Sequence, residues 1–200
     1  MRALPFALGL VAGALALGLA RLAALPEPKV VHHHANWAVF VDGARLDLTA
    51  ERYMEDVASC KADPSAVYPE DRIHMHARNH DVVHVHAAGA TWGHLMANLG
   101  FGIGDDYLFT DSARLVAGGG KTLKFILNGK PVPSIRNRVV ESEDRLLVSY
   151  GAETPEEVVR TQLPRVASDA GEFNRKPDPA GCSGGAHETF GDRLRRAFWF

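Results

Sequence analysis

Cysteine is nearly absent, with two in 200 residues, Cys60 and Cys182. That scarcity excludes a disulfide-dense scaffold and a metal site built from a cluster of thiolates. Reaction signatures are missing too: the chain contains no HExxH and no GxGxxG. The stretch "GGGKT" at 118–122 lacks the GxxxxGK[ST] spacing of a phosphate loop and opens a strand-like run, not a helix. Lys and Arg are dispersed and the net charge is -2, so no basic groove for nucleic acid is present. No long repeat occurs. With 46% hydrophobic residues, the chain has enough apolar material for one domain with a core, plus appendages.

One long apolar run is present, from Ala3 to Ala20, closed by Arg21. It is long for a signal-peptide core and close to the lower limit for a membrane span. We read an uncleaved membrane anchor over residues 3–25, with a cleaved signal peptide as the alternative; on either reading the remainder of the chain lies outside the cytoplasm. In that compartment Cys60 and Cys182 form a candidate disulfide, with two separate thiols or a metal thiolate as alternatives.

The pattern divides the chain into an anchor or signal segment (1–25), a linker carrying a histidine run (26–35), a folded domain (36–151) and a helical and irregular extension (152–200). Within the domain, "WAVFV" and "ARLDL" flank Asp42-Gly43, a type I′ turn signal, and predict a hairpin over Asn36–Thr49. "AERYMEDVASC" has helical spacing. "TWGHLMANLG" predicts a helix capped by Thr91 and ended by Gly100. "FGIGDDYLFTDSARLVAGGG" reads as loop. "KTLKFILNGKPV" is a strand entering an Asn128-Gly129 turn, and "RVVESEDRLLVSYG" is a short strand, an acidic turn and a last strand at Arg145–Tyr150. Thr154 and Pro155 start another helix. "TFGDRLRRAFWF" predicts a final basic, aromatic helix that docks on the domain, or on a membrane or a membrane-protein partner.

Histidine is the compositional anomaly, with ten in the chain. "RIHMHARNHDVVHVH" (Arg72–His86) carries a His-X-His at each end. If its two halves pair as antiparallel strands, alternation places Ile73, Met75, Val83 and Val85 on one face. His74, His76, His84 and His86 then share the other. Burial of the apolar set specifies the face; we expect Met75 opposite Val85, His74 opposite His86 and His76 opposite His84, around a loop centred on His80. Clustered imidazoles repel one another when protonated and offer converging lone pairs when neutral, so this face is a candidate site for a divalent transition metal. The alternative is a solvated polar face. Copper is favoured and zinc is the second choice. His32, His33 and His34 could add a ligand, His34 being the further candidate, or could form an exposed flexible run. His94 reads as a surface residue and His187 as a loop residue. Met54, Met75 and Met96 read as core. No residue is assigned a catalytic role, and a binding protein is expected rather than an enzyme.

The order strand–turn–strand, "TWGHLMANLG", "LKFILNGKPV", "ESEDRLLVSYG" resembles the β-grasp, or ubiquitin-like, arrangement, implying an α+β fold with a mixed sheet and one packed helix. Sulfur carriers of that fold end in Gly-Gly, whereas this chain continues well beyond Gly151, so their chemistry is not implied. Residues 32–151 also resemble a family of secreted or membrane-anchored, histidine-rich bacterial and archaeal proteins of unsettled function. The motifs that carry this likeness are "HHHANWAVFVDG", "HMHARNHDVVHVH", "TWGHLM", "LNGK" and "VSYG". The resemblance implies the fold and the extracytoplasmic compartment and supplies no catalytic mechanism. The competing expectation is a non-enzymatic, membrane-associated interaction module.

Overall fold

A computed structural model describes residues 3–25, 31–55, 72–176 and 190–198. The chain folds as two units, residues 1–29 with 186–200, and residues 30–185. The larger unit is α+β, built on a seven-stranded mixed sheet. Its strands are β1 (His33–Val41), β2 (Ala44–Arg45), β3 (Ile73–His74), β4 (Val82–Val85), β8 (Thr122–Leu127), β9 (Lys130–Val132) and β10 (Arg145–Gly151). The order is β3–β4–β1–β10–β8–β9. Strands β1 and β10 run parallel at the centre, from Asn36 opposite Arg145 to Val41 opposite Tyr150. The outer edge of β1 is shared: β4 pairs with its first half and β2 with its end.

Local chemistry explains the reversals. Asp42 and Gly43 take φ of 49° and 75°, and Asn128 and Gly129 take 52° and 80°, the left-handed pair that a type I′ hairpin turn needs. Helix α2 (Trp92–Asn98) starts at Thr91, whose Oγ1 accepts from the His94 N–H while His94 Nδ1 accepts from the Thr91 N–H. His94 is therefore half of a capping box. Gly100, at φ 71°, ends the helix region. Helix α3 (Pro155–Thr161) uses the same device with Thr154 and Glu157.

The two sheet faces are covered differently. Odd-numbered residues of β1 (Ala35, Trp37, Val39) join Ile73, Met75, Val83, Val85, Trp92, Leu95 and Leu146 in the main core, under α2. Trp37 Nε1–H donates to Met75 Sδ at 3.2 Å, which places Met75 in the core as expected. On the opposite face Ala38, Phe40, Ile126 and Leu147 pack with Val158 and Val166 of the C-terminal extension. That extension continues through a turn at Leu163–Arg165 into helix α4 (Ala170–Phe173).

Several expectations change. The stretch read as loop after α2 forms a three-stranded sheet of β5 (Gly102–Ile103), β6 (Tyr107–Phe109) and β7 (Arg114–Val116). Strands of two or three residues are too short to show an alternation in sequence. "RVV" contributes a single bridge, Thr91 to Val139, in place of a strand. The expected helix after Thr49 is one 3₁₀ turn, Glu51–Tyr53, ended by Met54 in extended backbone; the rest of the expected stretch, from residue 56, lies outside the described residues. Cys60, Cys182 and His187, and with them the candidate disulfide, also lie outside them. β1 begins at His33, so the histidine run enters the sheet and is not confined to a linker.

In the smaller unit, α1 (Ala3–Ala24) packs against α5 (Phe190–Phe198). The Phe198 ring lies against Gly18, where a Cβ would come within 1.9 Å of it, and Arg193 donates to the Leu25 carbonyl at 3.2 Å. The final helix thus docks on the N-terminal one. Among the described residues no helix is long and apolar enough to cross a membrane. The expected span therefore finds no support there, and Arg21 places a charge in the last turn of α1.

Candidate metal centre

Histidines alternate with apolar residues on three adjacent strands, and the pleat turns each alternation into a face. On β1 and its approach, His32 and His34 lie on the face opposite Ala35 and Trp37; β4 and the residue after it contribute His84 and His86, and β3 leads into His74 and His76. His34 is directly opposite His84, and His84 directly opposite His74.

The β3–β4 hairpin forms, but its register is displaced by two residues from the expected one. Ile73 faces Val85, not Ala87, and His74 faces His84, not His86. A two-residue displacement keeps every side chain on its expected face. The cause is the turn. Ala77 and Arg78 take φ of 55° and 57°, and the Asn79 N–H donates to the His76 carbonyl at 3.1 Å, so the chain reverses before His80. Residues 80 and 81 are held elsewhere. The Asp81 carbonyl accepts from Trp37 N–H and Asn36 Nδ2, its carboxylate pairs with Arg45, and His80 Nδ1 accepts from the Leu48 N–H.

The result is one connected cluster of six imidazoles. Ring centroids lie 4.3 Å apart for His34 and His84, 3.7 Å for His76 and His84, 4.9 Å for His74 and His86, and 5.2 Å for His32 and His86. Three ring nitrogens meet at its centre: His34 Nε2 lies 2.8 Å and His76 Nε2 3.2 Å from His84 Nδ1. One nitrogen from each of His32, His84 and His86 also falls within 4.8 Å of the others, so this group could hold a metal ion.

The cluster is not solvated. His34, His74, His76 and His84 are 0%, 3%, 5% and 2% exposed. The C-terminal extension covers the His34 end of the cluster. Asn36 holds it to β1, with Nδ2 donating to Asp169 Oδ1 and Oδ1 accepting from the Ala170 N–H, both at 2.8 Å. The Phe173 ring then lies 5.8 Å from that of His34. Asn174 Oδ1 accepts from the His34 backbone N–H at 2.9 Å and from His34 Nδ1 at 2.8 Å.

Burial has an electrostatic consequence. Desolvation first, and the neighbouring imidazoles second, hold His84 far below the ordinary histidine range; the same causes push His86 down to about 3. At neutral pH both rings are neutral and each keeps a lone pair available for a metal.

Of the sequence-predicted ligands, His74, His76, His84, His86 and His34 all lie in this cluster. His32 belongs to it as well, a residue the sequence left undecided between ligand and exposed run; the His32-X-His34 spacing on a strand entering the sheet was its available signal. His33 points elsewhere, with Nε2 bonded to the Val140 carbonyl at 3.0 Å. Asn174, 140 residues from His34, had no local signal. No family model, no curated protein and no solved structure matches the chain.

Proposed function

We propose that this protein is a non-enzymatic, extracytoplasmic metal-binding protein whose histidine cluster holds a transition-metal ion, copper in preference to zinc. The observation that carries the reading is the convergence of ring nitrogens from His32, His84 and His86 within 4.8 Å, beside three further buried imidazoles. Buried neutral imidazoles without hydrophobic function are otherwise a net cost to the fold. An all-nitrogen donor set of this kind suits copper and zinc, and the affinity order favours copper.

The strand order supports the β-grasp reading. A central parallel pair of first and last strands, flanked by antiparallel neighbours and crossed by one helix after the second hairpin, is the arrangement the resemblance implies. The compartment is carried by the N-terminal sequence. Leu8, Val11, Leu15 and Leu19 of α1 are more than half exposed, which supports association of this helix with a membrane and export of the rest of the chain. The same exposed surface supports the second reading, a membrane-associated interaction module.

The deciding measurement is metal content by elemental analysis of the full chain, without an affinity tag and after loading with Cu or Zn and removal of excess ion. Stoichiometric metal that is lost in His84→Ala is expected. A wild-type chain that retains no metal would overturn the metal reading and leave the interaction module.

A further inference from the structure

Which nitrogen an imidazole offers to a metal depends on which one carries its proton. At the covered end of the cluster that choice can be followed from atom to atom. Asn174 Oδ1 lies 2.9 Å from the His34 backbone nitrogen. A backbone N–H can only donate, so the accepting atom is the amide oxygen. The amide nitrogen is turned away, to Ser142 Oγ at 3.1 Å and Glu143 Oε1 at 3.5 Å. The same amide oxygen lies 2.8 Å from His34 Nδ1, which therefore carries a proton.

His34 Nε2 lies 2.8 Å from His84 Nδ1, a separation that places one proton between the two nitrogens. The His34 ring is buried and meets those of His32 and His84 at 4.8 and 4.3 Å. Burial and crowding by imidazoles both disfavour a second proton on it. With Nδ1 protonated, His34 Nε2 is then the acceptor, and the shared proton belongs to His84 Nδ1. His76 Nε2, 3.2 Å from the same nitrogen, can share that proton. His84 is left with its lone pair on Nε2. His86 points to the same nitrogen by another route. Its Nε2 is buried and has no hydrogen-bond partner among the described residues, the kind of polar atom that a ligand satisfies.

Building on the metal-binding reading, we propose that His34 is a positioning residue and not a ligand: Asn174 Oδ1 fixes the His34 tautomer, His34 Nε2 holds the proton on His84 Nδ1, and the ion is taken by Nε2 of His84 and of His86 together with His32. The relay Asn174–His34–His84 does here what a carbonyl or carboxylate beside a ligating histidine does around metals generally, fixing the tautomer and the ring orientation. It also makes the C-terminal extension part of the site, through a residue 140 positions from His34.

The test uses the full chain labelled with ¹⁵N-histidine at pH 7, first metal-free and then with one equivalent of Zn(II), which is diamagnetic. Imidazole ¹⁵N shifts report which nitrogen of each ring is protonated and which is ligated. In the metal-free chain, His34 and His84 are expected to be neutral and protonated at Nδ1. Zn(II) is expected to shift Nε2 of His84 and His86 and to leave both nitrogens of His34 unligated. A metal-free His84 protonated at Nε2, a His34 carrying two protons, or Zn(II) on His84 Nδ1 or on His34 would overturn the relay while leaving the metal reading intact. A chain that retains neither zinc nor copper would overturn the metal reading, and the role of the relay with it. Asn174→Leu removes the acceptor at similar volume. It is expected to turn part of the His84 population to the Nε2-protonated form and to weaken Zn(II) affinity by about 10–100-fold, the range for loss of such a supporting partner. An unchanged His84 tautomer in folded Asn174→Leu refutes the role given to Asn174, whatever happens to affinity. If that variant does not fold, the wild-type shifts decide by themselves.

Discussion

At the scale of single residues, His84 has the most concentrated role. It lies at the hub of the cluster, opposite His34 on one side and His74 on the other, and belongs to the group that could hold an ion. His84→Ala is expected to abolish metal retention and to remove the two ring–ring contacts made by its Nδ1, at a cost of about 1–3 kcal/mol for disturbing buried polar groups; chemical denaturation of the metal-free chain checks the second part. Protonation gives a separate prediction. His86 titrates near 3 when folded and near 6.5 when unfolded, and His84 is displaced in the same direction. Between those values the unfolded chain binds more protons than the folded one. Stability contributed by these rings is therefore present above about 6.5 and falls as pH drops, by about 1.4 kcal/mol per pH unit for each ring that stays neutral. Denaturation midpoints at pH 7, 6 and 5 should decline in that order, and the slope should flatten in His86→Ala. The same displacement separates this site from an exposed one. His84 and His86 carry no proton to expel at pH 6, so their share of metal affinity should change little between pH 7 and 6, where surface histidines would already be losing theirs.

At the scale of elements, the β3–β4 hairpin contains a weak point. Ala77 and Arg78 both occupy the left-handed region, which costs L residues about 1–2 kcal/mol each and which Asn-Gly adopts readily. Replacing the pair by Asn-Gly should raise the melting temperature without changing metal stoichiometry, since both side chains are exposed. Helix α2 is seated the opposite way, by the lack of a side chain. A Cβ on Gly93 would clash with the Arg136 carbonyl oxygen, the same atom that accepts from the Gly93 N–H. Gly93→Ala should therefore lower stability by about 1–3 kcal/mol, the usual range for overpacking, as measured by denaturant unfolding. Because α2 covers the face opposite the histidines, metal stoichiometry in the surviving folded fraction should be unchanged.

At the scale of the whole molecule, the C-terminal extension closes over the His34 end of the histidine face. Arg145, on the last strand of the sheet, donates to the carbonyls of Leu163, Val166 and Ala167, and Asn36 holds the start of α4. A chain ending at Gly151 would retain every histidine of the cluster but lose Val158 and Val166 from the smaller core and Asn174 from His34. It should unfold at lower temperature and bind metal more weakly, and the His84 ring, which packs against the uncovered His34, should titrate higher than in the full chain, which NMR pH titration can read.

Much of this protein was legible locally. Period-two alternation assigned His74, His76, His84 and His86 to one face, because successive side chains of a strand point to opposite sides whatever the sheet around them. Asp42-Gly43, Asn128-Gly129, Thr91 and Thr154 marked turns and caps, because those depend on backbone geometry within a few residues. Register, burial and membership of the site were decided by tertiary structure. The hairpin turned at Ala77–Arg78 because His80 and Asp81 were bound to Leu48, Arg45 and Asn36, far away in sequence. His32 and His34 became part of the cluster because β1 pairs with β4, and His34 lost its water because Phe173 and Asn174 of the C-terminal extension fold over it. Face assignment follows from one strand's own stereochemistry. The neighbours and solvent exposure of that face depend on pairings and packing between segments up to 140 residues apart, which no local pattern encodes.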